Sequence, residues 1–584
     1  MNSKLAAALL LVLIVENPVL AFDTTQFKVP DSNFPIPSGA IFVAPNGNDA
    51  NAGTQAAPLL TPAAAVKKAV NGSTIVVRAG VYYEVNLGTV SKKITLQAYP
   101  HEQVHFLGSK PATGWTKEQT YWRTAWTNPL ASLNINCPKE VINPAYPNAC
   151  LPEQVFVAGA PLAQVTSKAE VVAGKFFMDS ANNVLYIGTD PTSKLVEVGT
   201  LTIGLQFYPA AAGSRVLGIG FAQYSSYILS NTAAIQSYAD NFTVDLCSFV
   251  QQAAEGLKLA GVNNIVRSSV FSYNGQNGLG CNKCHGSLIE WNYIAFNNQE
   301  HFATSKCGAY CTIAGMKVAH VDRLTVNMNN FYRNNAGGLW FDLGCTNAMV
   351  TRNLFKENGD GVAMNSGLFY EVSSTGTVAS NAFIKNKGNG IQISGSDRTR
   401  IYNNNFVKNK IDITAKDDTR TACGFETYSC QLNLTWDTTG TVVRNNLFSN
   451  NLLYGIDSPG VTDQVTSSNL MFSNIDHNGW YRANTTGLYL VRWCPTSDNC
   501  PTRYKTHTNF MQATNLDWAP PSIGVRDTPN NPFFVDEDSD KLSLKSDSSA
   551  RSAGTALPAD IAAYLGVPAS PIDMGALTYR DKVV

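Results

Sequence analysis

The sequence predicts an all-β solenoid, a right-handed parallel β-helix with an N-terminal capping helix and an inserted β-rich segment. Three observations predict it. An asparagine recurs at a basic step near 23 residues, short β-rich pieces lie between these asparagines, and a second strand of fixed pattern follows each of them.

The recurring asparagines are Asn274, Asn297, Asn334, Asn358, Asn386, Asn409 and Asn450, separated by steps of 23, 37, 24, 28, 23 and 41 residues. A constant step with occasional enlargements is a solenoid period carrying loop insertions. Asparagine suits such a turn because its amide bonds to nearby backbone and tolerates left-handed geometry. Stacked amides can also bond to one another, so most of this column is structural. The pieces between, such as AMVTRNLF, GTVASNAF and TRIYNNNF, cannot bury an apolar face alone. Stacking coil on coil gives them a continuous core and pairs their backbone groups.

The second strand reads GLKLA (256–260), GLGCN (278–282), GMKVA (315–319), GLWFD (338–342), GVAMN (361–365), GIQIS (390–394) and KIDIT (410–414). Its second and fourth positions are apolar and face the core. Period-two alternation sends the third and fifth positions outside. The third-position column is then Lys258, Gly280, Lys317, Trp340, Ala363, Gln392 and Asp412, and the fifth includes Asn282, Asp342, Asn365 and Ser394. Strands of adjacent coils stand about 4.8 Å apart, so Lys317 and Asp342 are expected to be neighbours, beside an exposed Trp340 of the kind sugars stack on. The enlarged step from Asn297 to Asn334 contains Glu300, His301, Cys307, Cys311 and His320; that from Asn358 to Asn386 contains Leu368-Phe369-Tyr370-Glu371. These are read as loops walling the surface, from which Glu371 reaches towards Asp342. A one-residue slip would reverse the assignment.

At the N-terminus Lys4, the apolar run Leu5–Val15 and Val19-Leu20-Ala21 read as a secretory leader over 1–21, cleaved before Phe22. Nothing later reaches the roughly eighteen apolar residues of a membrane span. Residues 22–103 read as the N-terminal cap and first coils, with TPAAAVKKAV a short helix capped by Thr61 and started by Pro62. Residues 104–200 break the period and read as the inserted module, with Trp115, Trp122 and Trp126 serving either packing or sugar binding. Residues 201–475 are the β-helix core, and 476–584 the C-terminal cap, with a helix near LPADIAAYL.

Lys plus Arg equals Asp plus Glu at 43 each, a balance that disfavours nucleic acid or a strongly acidic polymer held by charge alone and leaves neutral or weakly acidic sugars open. A monomer acting on a polysaccharide or glycan, without a cofactor, is expected. Twelve cysteines, several close together (Cys137 and Cys150, Cys423 and Cys430, Cys494 and Cys500), suit local disulfides in an oxidising compartment. Acceptor motifs at Asn71, Asn241, Asn433 and Asn484 fit the same compartment. Cys281-x-x-Cys284 and Cys307-x3-Cys311, near His285 and His301, have metal-ligand spacing, but the leader favours disulfides there and no metal is expected.

IFVAPNGNDANAGTQAAP followed by TIVVRAGVYYE resembles the N-terminal signature of the pectate-lyase-like superfamily of right-handed β-helix proteins. GMKVAH, GGLWFD and GLFYEVS resemble elements of uncharacterised secreted members. The resemblance covers about 38–475 and implies the fold. Because the superfamily holds hydrolases, lyases, epimerases and non-enzymatic proteins, it leaves the reaction open. Missing are an Asp cluster for the calcium site of pectate-lyase-like enzymes, the adjacent Asp pair of polygalacturonase-like hydrolases in the central coils, and the Asp-Pro-His-Asp style motif of alginate epimerases. Asp417-Asp418 falls in an expected loop.

Three chemistries compete. In glycoside hydrolysis, Asp342 and Glu371 form the carboxylate pair, Trp340 holds a ring, Lys317 orients Asp342, and Asp360 is a weaker third carboxylate. In β-elimination from a uronate, Lys317 or His320 removes a proton while Lys258 helps to neutralise substrate. In a non-catalytic matrix or binding protein, Lys317–Asp342 is a surface ion pair. Asn365, Gln392 and His301 complete the expected substrate-binding set.

Overall fold

The computed structural model describes residues 27–133, 142–228, 232–303, 313–359, 365–417, 420, 427–459, 466–484, 486–495, 502–517, 523–568 and 570–577. The expected leader, Asp360, residues 361–364 of the strand expected over 361–365, and Cys137, Cys307, Cys311, Cys423 and Cys500 lie outside these residues. The chain forms two compact units: Met1–Gly280 with Phe296–Ile313, and Cys281–Ala295 with Ala314–Val583. Each is built of coils of right-handed parallel β-helix whose strands sort into three sheets.

In the first unit, Ile41–Val43, Ser73–Val77 and Ile94–Ala98 stack in parallel. Helix Pro62–Lys68 joins the first two of these strands, with the Thr61 hydroxyl accepting from the Ala64 N–H. Ile94–Ala98 pairs next with Arg215–Leu217 and Thr89–Val90 with Leu205–Phe207, so the chain leaves the solenoid after Val104–Leu107 and returns at Leu205, nearly a hundred residues later. The excursion folds into two small sheets with a core of their own. Trp126 is buried in that core, and Trp115 and Trp122 pack against it. All three tryptophans therefore serve packing.

In the second unit each coil contributes one strand to each sheet. Met349–Thr351, Leu354–Lys356 and Leu368–Glu371 make one such coil. The interior is a column of aromatic rings, one per coil: Phe331, Phe355, Phe383, Phe406, Phe448 and Trp480, with successive centroids 4.8, 4.8, 5.0, 5.1 and 4.2 Å apart. That spacing is the inter-strand distance, so side chains in equal positions meet face to face.

Two asparagine ladders close the turns. One runs Asn334, Asn358, Asn386, Asn409 through amide–amide bonds of 2.9–3.1 Å and ends on the carboxylate of Asp412. The coil after it contributes Asn451, which donates to the other oxygen of Asp412, where the period had pointed to Asn450. The second ladder, which the repeat reading did not isolate, runs Asn292, Asn329, Asn353, Asn381, Asn404, Asn446 and Asn478. From Asn329 onward each amide also donates to a backbone carbonyl of an earlier coil, as Asn381 does to Val350.

The C-terminal residues cover two of the three sheets from outside. Phe533, Phe534, Leu542 and Ala550 pack on Ala382, Ile384 and Val407; Leu557, Ile561 and Leu565, the last two on helix Ala559–Leu565, pack on Ala379 and Tyr402. The outer face of the third sheet lies outside these clusters.

Replacing fully buried Asn381 by Ala strips partners from the Asn353 amide and the Val350 carbonyl. Unpaired buried polar groups cost about 1–3 kcal/mol each. N381A should therefore lower stability by at least about 2 kcal/mol, read as a lower denaturant midpoint.

Candidate functional site

The outer face of the third sheet in the second unit is set by its register. Lys317 pairs with Trp340 and Ala319 with Asp342; Trp340 pairs with Phe369 and Phe341 with Tyr370; Phe369 pairs with Gln392, Glu371 with Ser394, and Gln392 with Thr414. One outward column is thus Lys317, Trp340, Phe369, Gln392, Thr414. The next is Ala319, Asp342, Glu371, Ser394, Lys416.

This register corrects the expected one in two places. The strand after Gly337–Asp342 is Leu368–Glu371, where GVAMN had been expected and LFYE had been read as a wall. Gly-apolar-x-apolar occurs twice within that enlarged step, and the extra residues enter before the strand. Asn365, expected in the strand's fifth position, lies in the turn ahead of it, its carbonyl accepting from the Gly388 N–H. Asp412 is not in the column of Gln392; the pairing of Gln392 with Thr414 slips KIDIT by two residues and puts Asp412 opposite Gly390. There it is fully buried, bonded to Asn409 and Asn451, and burial pushes its carboxyl up to about 7.

Six side chains interlock. Lys317 Nζ donates to Asp342 Oδ2 at 2.7 Å and lies over the Trp340 ring. Phe369 stacks on Trp340, with centroids 5.8 Å apart. Trp340 Nε1 donates to Glu371 Oε2 at 2.8 Å. Arg420 Nη2 donates to Glu371 Oε1 at 2.5 Å, and its Nη1 stands 3.8 Å from Asp342 Oδ1. Side-chain exposure is 8% for Lys317, 12% for Asp342, 13% for Glu371 and 28% for Arg420. Trp340 is 3% exposed, not the open platform expected of it, because its ring lies between Lys317 and Phe369 and its N–H is spent on Glu371. Burial pushes the Lys317 ammonium below its ordinary value, against the opposing charges of Asp342 and then Glu371.

Of the other expected residues, Gln392 lies in the outward column, its amide oxygen accepting from Asn389 at 2.9 Å and Ser366 at 3.3 Å. His320 follows strand Ala314–Ala319 with a left-handed backbone. Its ring meets Asn282 at 2.9 Å and the edge of Tyr428, a setting apart from the Lys317 cluster. His301 belongs to the first unit, stacked on Tyr146 at 4.1 Å. Lys258 also belongs there, paired in register with Gln236. Burial lowers its pKa, while the nearby Glu255, buried, is pushed up to about 7. A Cβ at Gly280 would come within 2.1 Å of Glu255 Oε1, which explains the glycine in that column. Phe369 and Arg420 were not singled out from the sequence. Phe369 is an outward apolar residue between the core-facing Leu368 and Tyr370, whereas Arg420 lies between Asp417 and the helix Thr427–Gln431 with no periodic signal.

Cys281 and Cys284 are joined by a disulfide, and Cys150 and Cys494 each take part in a separate one. Among the described residues no group of three or more His, Cys, Asp or Glu is placed to hold a metal ion, and no helix is long and apolar enough to cross a membrane.

The family described as a right handed beta helix region matches residues 233–406. This chain is a right-handed parallel β-helix protein. A curated relative, the uncharacterized protein YwoF of Bacillus subtilis (strain 168), is 35% identical over 109 residues, which span 18% of this chain and 22% of that protein. Among solved structures, XylC in complex with xylose superposes with a TM-score of 0.51 at 15% identity, covering 85% of this chain and 88% of XylC. A structure titled glycoside hydrolase gives 0.44 at 13%, covering 65% and 94%. Identities this low speak to the fold.

Breaking a buried ion pair leaves an uncompensated charge and costs about 3–5 kcal/mol. K317A should lose about that much stability in denaturant unfolding, and the paired replacement K317M/D342L should recover most of it. Glu255 supplies a pH test. Its proton is held up to about 7, against an ordinary value of 4.5, so the native state binds more protons than the unfolded chain across that window. Stability then falls as pH rises from 4.5 to 7; in E255Q that part of the slope should vanish in midpoints measured against pH.

Proposed function

We propose that this protein is a secreted carbohydrate-active enzyme, a glycoside hydrolase whose carboxylate pair is Asp342 and Glu371. One observation carries the reading. The two carboxylates occupy the same outward position on adjacent strands, one residue beyond the Phe341–Tyr370 pair, on the sheet outside the two C-terminal clusters. Adjacent strands stand about 4.8 Å apart. Retaining glycosidases need their carboxyl groups about 5–5.5 Å apart, inverting ones about 6.5–9.5 Å. The spacing supports retention.

Asp342, ion-paired to Lys317, is the ionised nucleophile. It attacks the anomeric carbon while Glu371 gives its proton to the departing glycosidic oxygen. Water then displaces Asp342, losing its proton to Glu371. The acid step needs a protonated Glu371, which Arg420 opposes in the arrangement described. Arg420 belongs to no strand, so its displacement by substrate would leave the sheet in place. Trp340 acts as a positioning residue through its bond to Glu371, and Gln392 offers a hydrogen-bonding site one coil beyond Phe369.

A second reading is β-elimination from a uronate, favoured by the burial that lowers the Lys317 pKa. It requires Asp342 to release the ammonium, and its product absorbs in the ultraviolet.

On a panel of oligosaccharides and aryl glycosides, D342N and E371Q should each reduce the rate of reducing-end formation about 10²–10⁴-fold, with no unsaturated-uronate absorbance. Proton NMR of the first product should show the anomer of the substrate. Normal cleavage by both variants would remove the pair from the mechanism. In R420A, loss of the neighbouring guanidinium should let Glu371 keep its proton to higher pH, moving the alkaline limb of the kcat/KM profile upward.

A further inference from the structure

Beyond the end of the Lys317–Glu371 sheet, the second unit carries a depression of about 670 Å³ that the proposed hydrolysis does not use. Its floor comes from one turn repeated on four coils. Asp322, Thr346, Ser374 and Asp397 bridge successively in parallel. The residue after each of them is left-handed: Arg323, Asn347, Thr375 and Arg398, with φ of 55, 54, 57 and 51°. Equal backbone geometry on stacked coils projects these four side chains in one outward row.

The row has a guanidinium at each end. The side chains of Arg323 and Arg398 are 72% and 66% exposed, and each pairs with the aspartate before it, Arg323 Nη1 with Asp322 Oδ2 at 2.5 Å and Arg398 Nη2 with Asp397 Oδ2 at 3.0 Å. Three coil steps of about 4.8 Å separate their positions by about 14 Å. Between them lie the Asn347 amide and the Thr375 hydroxyl, bonded to each other at 2.9 Å. The floor is braced from below: Asp322 accepts from Thr346 at 2.9 Å and from Asn347 at 2.8 Å, and Arg398 donates to Ser374 at 2.9 Å. Tyr428 and Leu432 form an apolar wall. The His285 Nδ1 accepts the Asp322 N–H at 3.0 Å, leaving Nε2 as the protonated nitrogen of the neutral ring, and burial lowers that ring's pKa.

A row of hydroxyl and amide groups beside an aromatic wall suits a sugar chain, whose rings present C–H faces to aromatics and hydroxyls to polar floors. One ring per coil matches the rise of an extended glycan. The terminal guanidiniums add selectivity: each spends one terminal nitrogen on its neighbouring aspartate, and the other N–H donors of its planar fork face solvent, where they can bond a ligand carboxylate. We infer that this depression is a second saccharide site, binding about three rings of a carboxylate-bearing glycan alongside the coils. The site is independent of whether Asp342 and Glu371 cleave anything. Because the arginines are exposed, binding weakens with added salt.

The test is calorimetric titration of the full-length secreted protein with trigalacturonate and, in parallel, with its trimethyl ester, which keeps the shape and removes the charge. The trianion should bind the parent protein and the D342N variant alike. Its affinity should fall about tenfold or more in R323A/R398A, in Y428A, and on esterification, with unchanged thermal midpoints for the exposed arginine pair. Three results would overturn the inference: no heat of binding at millimolar trigalacturonate, equal affinity for acid and ester, or an unchanged affinity in R323A/R398A, which would assign the binding to another surface.

Discussion

The bond between one asparagine amide and the next, repeated along the second unit, is what the other features rest on. Each amide oxygen accepts from the backbone N–H and side-chain amide of the preceding coil's asparagine, and each nitrogen donates to the following coil's amide oxygen and to a carbonyl of an earlier coil. A parallel coil has to turn three times with buried backbone, and those turns carry polar groups that water does not reach. The two ladders satisfy two of these turns, hydroxyls of Ser373, Ser396 and Thr438 accept backbone N–H groups at the third, and together they hold the rise at one strand spacing. The phenylalanine column inside and the charged columns outside inherit that rise. A site made of residues on adjacent coils is therefore held by the turns at the far side of the coil.

The site depends on this regularity and departs from ordinary surface chemistry in one respect. Its charges are largely withdrawn from solvent and satisfied by one another: Lys317 by Asp342, Glu371 by Trp340 and Arg420. Such a cluster costs desolvation energy that hydrophobic residues of the same volume would avoid. Its members are held in fixed orientation, and the proposed chemistry needs that of two carboxylates. The least buried member, Arg420, is also the one not held by a strand.

Much of this was legible from residue spacing. The step near 23 gave the solenoid, and the alternation in GMKVA and GGLWFD put Lys317 beside Asp342 before any coordinates. What escaped has physical causes. GVAMN and GLFYE carry the same apolar alternation, and periodicity alone does not say on which side of a strand an insertion enters. KIDIT kept its inside–outside parity through a two-residue slip, so Asp412 looked outward while a ladder claimed it. The second ladder hid because its asparagines sit among others, as in TRIYNNNF, where three in succession have different environments. Alternation also marked Trp340 as outward, which is true of its direction and not of its exposure: a neighbouring side chain on each adjacent coil covers it.

The C-terminal segment has a further consequence for the mechanics of the second unit. In a stack of coils each touches only its neighbours, so such chains tend to open from an end, one repeat at a time. Here Asp540 ion-pairs with Lys356 and Lys385 on successive coils, while Arg352 donates to the carbonyl of Leu565 and Arg400 pairs with Asp560. The tail thus runs as a splint along the stack, tying coils early in this unit to residues near its end. Peeling one repeat would mean detaching the splint from several, which converts a zipper into a single cooperative block and keeps the coils it clamps, the one bearing Glu371 among them, from fraying individually.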